Sequence, residues 1–143
     1  MSTAREGGSS MSSLTKAFFN CSRYAVVGAS ANRNKFGNKV LRCYMSKGFI
    51  VTPVNPREET IEGLPCVKSL SDLPEPSEIG VSVITPPSVT LGVLEEASRL
   101  GVTHVWLQPF SESPECLRRA QELGLQVVHG GPCVLVHQGC SED

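Results

Sequence analysis

Tyr24-Ala25-Val26-Val27-Gly28-Ala29-Ser30-Ala31-Asn32-Arg33-Asn34-Lys35-Phe36-Gly37 runs a short apolar β pattern into a loop of small and cationic residues, then into a helical pattern. Phe36, Val40 and Tyr44 step by four, which sets apolar side chains on one face of a helix. That helix runs into Lys47-Gly48-Phe49-Ile50-Val51, and the same order of helix, glycine and β-rich run returns at Leu100-Gly101-Val102 and Leu123-Gly124-Leu125. A glycine just past a helix adopts the left-handed conformation at little cost, so each of the three marks a helix end feeding a strand. The later helices are read from Val89, Val93, Ala97 and Leu100, and from Leu117, Ala120 and Leu123. The last opens on Ser113-Pro114-Glu115, a capping residue, a proline suited to the first helical position and an acid in the first turn.

Five apolar runs are expected as strands: 24–27, Phe49 to Val54, Gly80 to Ile84, His104 to Leu107 and Gln126 to His129. Near-continuous β-branched runs suit strands buried on both faces, and strands alternating with helices imply a parallel sheet with right-handed crossovers. The expected class is therefore α/β, a single Rossmann-like, doubly wound domain of about five strands, with strand order 3-2-1-4-5 by analogy. Residues 55–79 break the rhythm with Pro56, Pro65, Pro74 and Pro76. They are read as a loop with a short extra strand near Cys66 and one helical turn at Ser71-Asp72-Leu73.

The chain of 143 residues is 40% hydrophobic, enough for one core without a metal or disulfide. With net charge −1 it presents no broad field of one sign, which argues against nucleic acid and anionic membranes as partners. An anion site must be local. The six cysteines form no C-x-x-C pair and read as free thiols in a reducing compartment. Residues 1–18 are expected as a disordered tail, 19–138 as the domain and 139–143 as a second tail. No run reaches the ~20 apolar residues of a membrane helix. Cytoplasm is the default compartment, with a mitochondrial alternative from the Ser-rich start carrying Arg5 and Lys16. Nothing in the sequence sets an oligomeric state.

Ligands of such sheets sit beyond the carboxyl ends of the strands at the switch point. The loop Gly28, Ala29, Ser30, Asn32, Arg33, Lys35 offers small residues, a helix start and two cations, a combination suited to phosphate. It is not a G-x-G-x-x-G fingerprint, because Ser30 stands at the second glycine. The second strand ends Val54-Asn55-Pro56-Arg57, without an acid for the ribose hydroxyls of NAD. Arg57 suits an additional phosphate on a ribose, so NADP and coenzyme A both remain. Thr85, Pro86 and Pro87 start a helix and form a rigid wall suited to adenine or an alkyl arm.

Catalytic patterns are missing: G-x-S-x-G and H-E-x-x-H do not occur. His129 and Cys133 flank a glycine-proline turn, yet no third residue orients them, and a structural role is the stronger reading. Tyr24 and Tyr44 fall in core-like patterns.

Val27-Gly28-Ala29-Ser30, the cations after it, Val54-Asn55-Pro56-Arg57, Pro86-Pro87, Val105-Trp106-Leu107-Gln108 and Cys133 together resemble the small CoA-binding proteins related to the N-terminal domain of succinyl-CoA synthetase alpha subunits. The resemblance runs from about Phe19 to Val136. It implies a Rossmann-like domain holding coenzyme A or an acyl-CoA, with its phosphates at Gly28 to Lys35. Residues 55–57 and 85–87 would then line the adenosine or pantetheine. Thr85 stands where many bacterial relatives carry arginine. The synthetase's phosphorylated histidine lies in a second domain, so ligase activity is not carried over. A non-catalytic binding module is the expected function; the alternatives are an NADP-binding oxidoreductase-like protein and a subunit whose active site is completed by a partner.

Overall fold

The computed structural model describes residues 11–130 and 133–140. Five parallel strands form the sheet: β1 (Arg23–Val27), β2 (Val51–Val54), β5 (Ile79–Val83), β6 (His104–Leu107) and β7 (Gln126–Val128). Helices α2 (Phe36–Ser46), α3 (Pro87–Leu100) and α4 (Pro114–Glu122) connect them, with α1 (Met11–Phe18) before β1 and α5 (Val134–Gln138) after β7. The expected helix ends hold: Gly48, Gly101 and Gly124 take φ of +82°, +90° and +75°. Ser113 Oγ accepts the Cys116 amide at 3.2 Å, capping α4 as its sequence implies.

The faces of the sheet separate by the two-residue period of a strand. Ala25, Val27, Val81, Val83, Val105 and Leu107 join one core under α3 and α4. Tyr24, Val26, Trp106 and Val128 join the other, with Phe18, Val40, Leu41, Tyr44 and Leu135. On that second face Tyr44 is wholly buried and its hydroxyl meets Ser82 Oγ at 2.6 Å. Burial pushes both tyrosine hydroxyls, Tyr24 and Tyr44, well above their ordinary range.

The strand order is β2-β1-β5-β6-β7, so counted along the sheet's own strands it is 2-1-3-4-5 and not 3-2-1-4-5. The third strand pairs with the free side of the first: Ala25 lies beside Val81 in register, and beside Thr52 on its other side. The reason lies in the connection from β2. It carries Leu70 and Leu73 under the face that α3 covers, so the chain crosses β1 before re-entering the sheet. The switch point therefore falls between β1 and β5, the β1/β3 point of flavodoxin-like sheets. Within this connection a hairpin of β3 (Thr60–Ile61) and β4 (Leu64–Pro65) precedes a single parallel bridge from Val67 to Val54. The extra strand near Cys66 and the turn, here Leu70–Asp72, were legible.

The expected N-terminal tail is corrected over its second half. Residues 1–10 lie outside the described residues, but Met11–Phe18 is helical. The Ser-rich composition hid an amphipathic turn: Leu14 and Phe18 are four apart, and Phe18 packs 5.4 Å from both Tyr24 and Trp106. The expectation of free thiols is corrected at two positions. Cys43 on α2 and Cys140 form a disulfide across 97 residues of sequence, a pairing that no local spacing signals. It also ties down the first part of the expected tail 139–143; 141–143 lie outside the described residues. Among the described residues no helix is long and apolar enough to cross a membrane.

Phe18 is 1% exposed. Phe18→Ala is expected to lower the free energy of unfolding by about 3 kcal/mol, read as a shifted urea midpoint at unchanged slope. A midpoint equal to the parent's would place α1 outside the core.

Candidate functional site

At the carboxyl end of β1 the chain turns at Gly28, with φ +94°. A Cβ there would sit 2.5 Å from the Ile84 carbonyl oxygen, and one on Gly37 would sit 2.1 Å from that of Gly28. Both glycines are thus required by backbone packed on backbone, where strand, loop and helix meet. Between them the polar side chains mostly bond within the protein. Ser30 Oγ accepts the Asn32 amide at 3.1 Å, and Asn32 Oδ1 accepts the Asn34 amide at 2.9 Å. Asn55 Nδ2 donates to the Ala29 carbonyl at 2.9 Å while its Oδ1 accepts the amides of Arg57 and Glu58. Asn55 fastens the end of β2 to the loop.

The hairpin closes over the other side of this loop. Arg33 donates to Glu62 Oε1 at 2.6 Å, and the fully buried Asn38 donates to Glu62 Oε2 at 3.1 Å and to the Ser30 carbonyl at 2.8 Å. Arg42 Nε donates in turn to Asn38 Oδ1 at 2.7 Å. The Asn38 amide and, after the opposing effect of burial, the Arg33 guanidinium hold the Glu62 carboxyl below its ordinary range. Glu62 has φ of +52°, a conformation rare outside glycine, so the hairpin tip bends to present this carboxylate. Sequence reading missed Glu62, because its partners are 24 and 29 residues away.

Between the ends of β1, β2 and β5 lies a crevice of about 220 Å³. Of the expected site residues it is lined by Gly28, Asn55, Pro56 and Thr85, and it adds Lys68, Ser69 and Glu96. Ala29, Ser30, Asn32, Arg33, Lys35, Arg57, Pro86 and Pro87 do not line it. Ala29 is buried, whereas Asn32, Arg33, Lys35 and Arg57 are exposed on the loops around it. Pro86 and Pro87 begin α3: the Pro86 carbonyl accepts the Thr90 amide at 2.9 Å. Thr85 Oγ1 meets Thr90 Oγ1 at 2.8 Å. A larger groove of about 630 Å³ lies elsewhere, lined by Leu14, Leu117, Gln121 and Gln126 beside the edge strand β7. It has no share of the switch point.

His129 and Cys133 share no hydrogen bond among the described residues. Cys133 is buried at the start of α5, and His129 Nδ1 lies 4.0 Å from Glu112, whose Oε1 accepts the Gly130 amide at 3.0 Å. No group of three potential metal ligands occurs among the described residues.

Compared with known proteins, residues 22–138 match the model of a CoA binding domain, most of the chain. The chain belongs to the CoA-binding domain family. Its Rossmann-like sheet and its likeness to succinyl-CoA synthetase-type subunits are thereby borne out. This CoA-binding domain is 30% identical over 115 residues to the alpha subunit of an ADP-forming acetate–CoA ligase II of Pyrococcus furiosus, covering 78% of the chain and 25% of the subunit. The chain thus spans a quarter of that relative's length. It is 28% identical to the protein YneT of Bacillus subtilis, covering 74% of the chain and 78% of YneT. Among solved structures, a hypothetical protein of Pyrococcus horikoshii superposes with a TM-score of 0.82 at 28% identity, covering 97% of both chains.

The Glu62 contacts carry a pH signature in this CoA-binding domain. The folded carboxyl titrates below its unfolded value, so its contribution to stability is present above about pH 4.3 and is lost as pH falls through the lowered folded value. Denaturation midpoints measured from pH 6 to pH 3 are expected to fall more steeply for the parent than for Glu62→Gln. Parallel profiles would mean that Glu62 does not hold the hairpin.

Proposed function

We propose that this chain is a non-catalytic module that binds coenzyme A or an acyl-CoA across the carboxyl ends of β1, β2 and β5. The observation that carries the reading is the coincidence of the family match over residues 22–138 with a crevice at the switch point that Gly28, Asn55, Pro56 and Thr85 line. Small-ligand sites usually hold about 300–1,000 Å³, so a crevice of about 220 Å³ seats one part of a long ligand and leaves the rest on the surrounding loops. Coenzyme A has that form. Its apolar or aromatic part fits against Val27, Val54 and Val89, and its phosphates lie toward the loop from Gly28 to Lys35.

In this reading the amide groups at the start of α2 and the cations Arg33, Lys35 and Arg57 face the phosphates. A phosphate that engages Arg33 must displace Glu62, so one ion pair replaces another and the net gain is small. Nothing in the His129–Cys133 geometry supplies an acid–base pair, which favours binding over turnover in this chain.

Calorimetric titration with CoA, acetyl-CoA, NADP and NAD separates the readings. Binding of CoA or acetyl-CoA, weakened by salt, is expected, with NADP and NAD much weaker. Arg33→Ala should weaken CoA by only about two- to fivefold, because Glu62 competes for the guanidinium, and Glu62→Gln should tighten it by freeing Arg33. Preference for NADP, or turnover in CoA-ligation or NADPH-linked carbonyl reduction assays, would reject the module reading.

A further inference from the structure

We propose that Lys68 recognises the phosphate on the ribose of the bound nucleotide and so selects coenzyme A over ligands that lack this phosphate. The inference rests on the coenzyme A reading of the crevice.

Placement comes from the backbone. Val67 extends the sheet beyond β2 by one residue: its amide donates to the Pro53 carbonyl at 3.1 Å, and its carbonyl accepts the Asn55 amide at 2.9 Å. Lys68 follows directly, so its Cα is set by the same ladder that sets Asn55. In doubly wound sheets the ribose sits at the carboxyl end of the second strand, where an acid selects free hydroxyls and a cation selects an added phosphate. Here the strand ends Val54-Asn55 without an acid.

Charge singles out the same residue. Among the described residues lining the crevice, Lys68 is the one cation and Glu96 the one acid. The Lys68 ammonium has no hydrogen bond or ion pair among the described residues, whereas Arg33 is held by Glu62. Lys68 and Arg57 are both exposed, but Arg57 does not line the crevice, although it lies nearer to β2 in sequence. A lysine suits this task, because a flexible stem carrying a point charge can follow a phosphate that is anchored elsewhere.

The test titrates the parent, Lys68→Ala, Lys68→Arg and Arg57→Ala with CoA and with dephospho-CoA, which lacks only the ribose phosphate. The parent should favour CoA by about tenfold, a ratio that Lys68→Ala abolishes by weakening CoA alone. Lys68→Arg should retain the ratio, and Arg57→Ala should shift both ligands alike. Thermal melts identify any misfolded variant, and Lys68→Arg then carries the comparison, since loss of the ratio with the charge in place would also reject the proposal. A parent that binds both ligands equally, a Lys68→Ala variant that keeps the ratio, or loss of the ratio in Arg57→Ala instead would overturn the assignment and leave the coenzyme A reading standing. A parent that binds neither ligand overturns both.

Discussion

Two backbone contacts without side chains hold the site in shape: Gly37 seated on the Gly28 carbonyl, and Gly28 on that of Ile84. A Cβ at either position would fall well inside van der Waals contact, so strand, loop and helix approach at a distance that only glycine allows. Much else follows from that closeness. Helix α2 starts directly above the end of β1, Asn38 on its first turn comes within reach of Ser30 and Glu62, and the hairpin can lie over the loop. Separation of these elements by one methyl group would break the polar links that hold the hairpin against the loop.

The fold was largely legible, because its main elements repeat one local grammar. Helix followed by glycine and strand appears three times, and each glycine is left-handed where a helix ends. The strand order was not legible, since it depends on which side of β1 receives β5. That is decided by Leu70 and Leu73 packing under one face of the sheet, a contact between segments with no periodic pattern of their own. The helix before β1 was missed for a related reason. Serine-rich composition suggests a tail, and only the aromatic cluster of Phe18, Phe19, Tyr24 and Trp106 shows that the segment has something to pack against.

The crevice was legible where strand ends and turns set it locally, at Gly28, Asn55, Pro56 and Thr85. It was not legible where a charge is spent far along the chain. Arg33 reads as a phosphate ligand from its neighbours, but Glu62 on the hairpin already holds it. Lys68 and Ser69 lie in an irregular segment and reach the crevice only because Val67 bridges to β2. Residue types can suggest an anion site, but the distribution of ion pairs decides which cations are available to it.

The disulfide between Cys43 and Cys140 makes this arrangement depend on its surroundings. A cross-link closing a loop of about a hundred residues removes on the order of 4–5 kcal/mol of unfolded-chain freedom in the entropic account. Whole domains of this kind are stable by only about 5–15 kcal/mol. Under reducing conditions α5 is held by the burial of Val134 and Leu135 and by the Val134 amide on Gln108 Oε1. The local redox poise therefore sets how often the C-terminal segment frays, and with it how long the chain survives proteolysis.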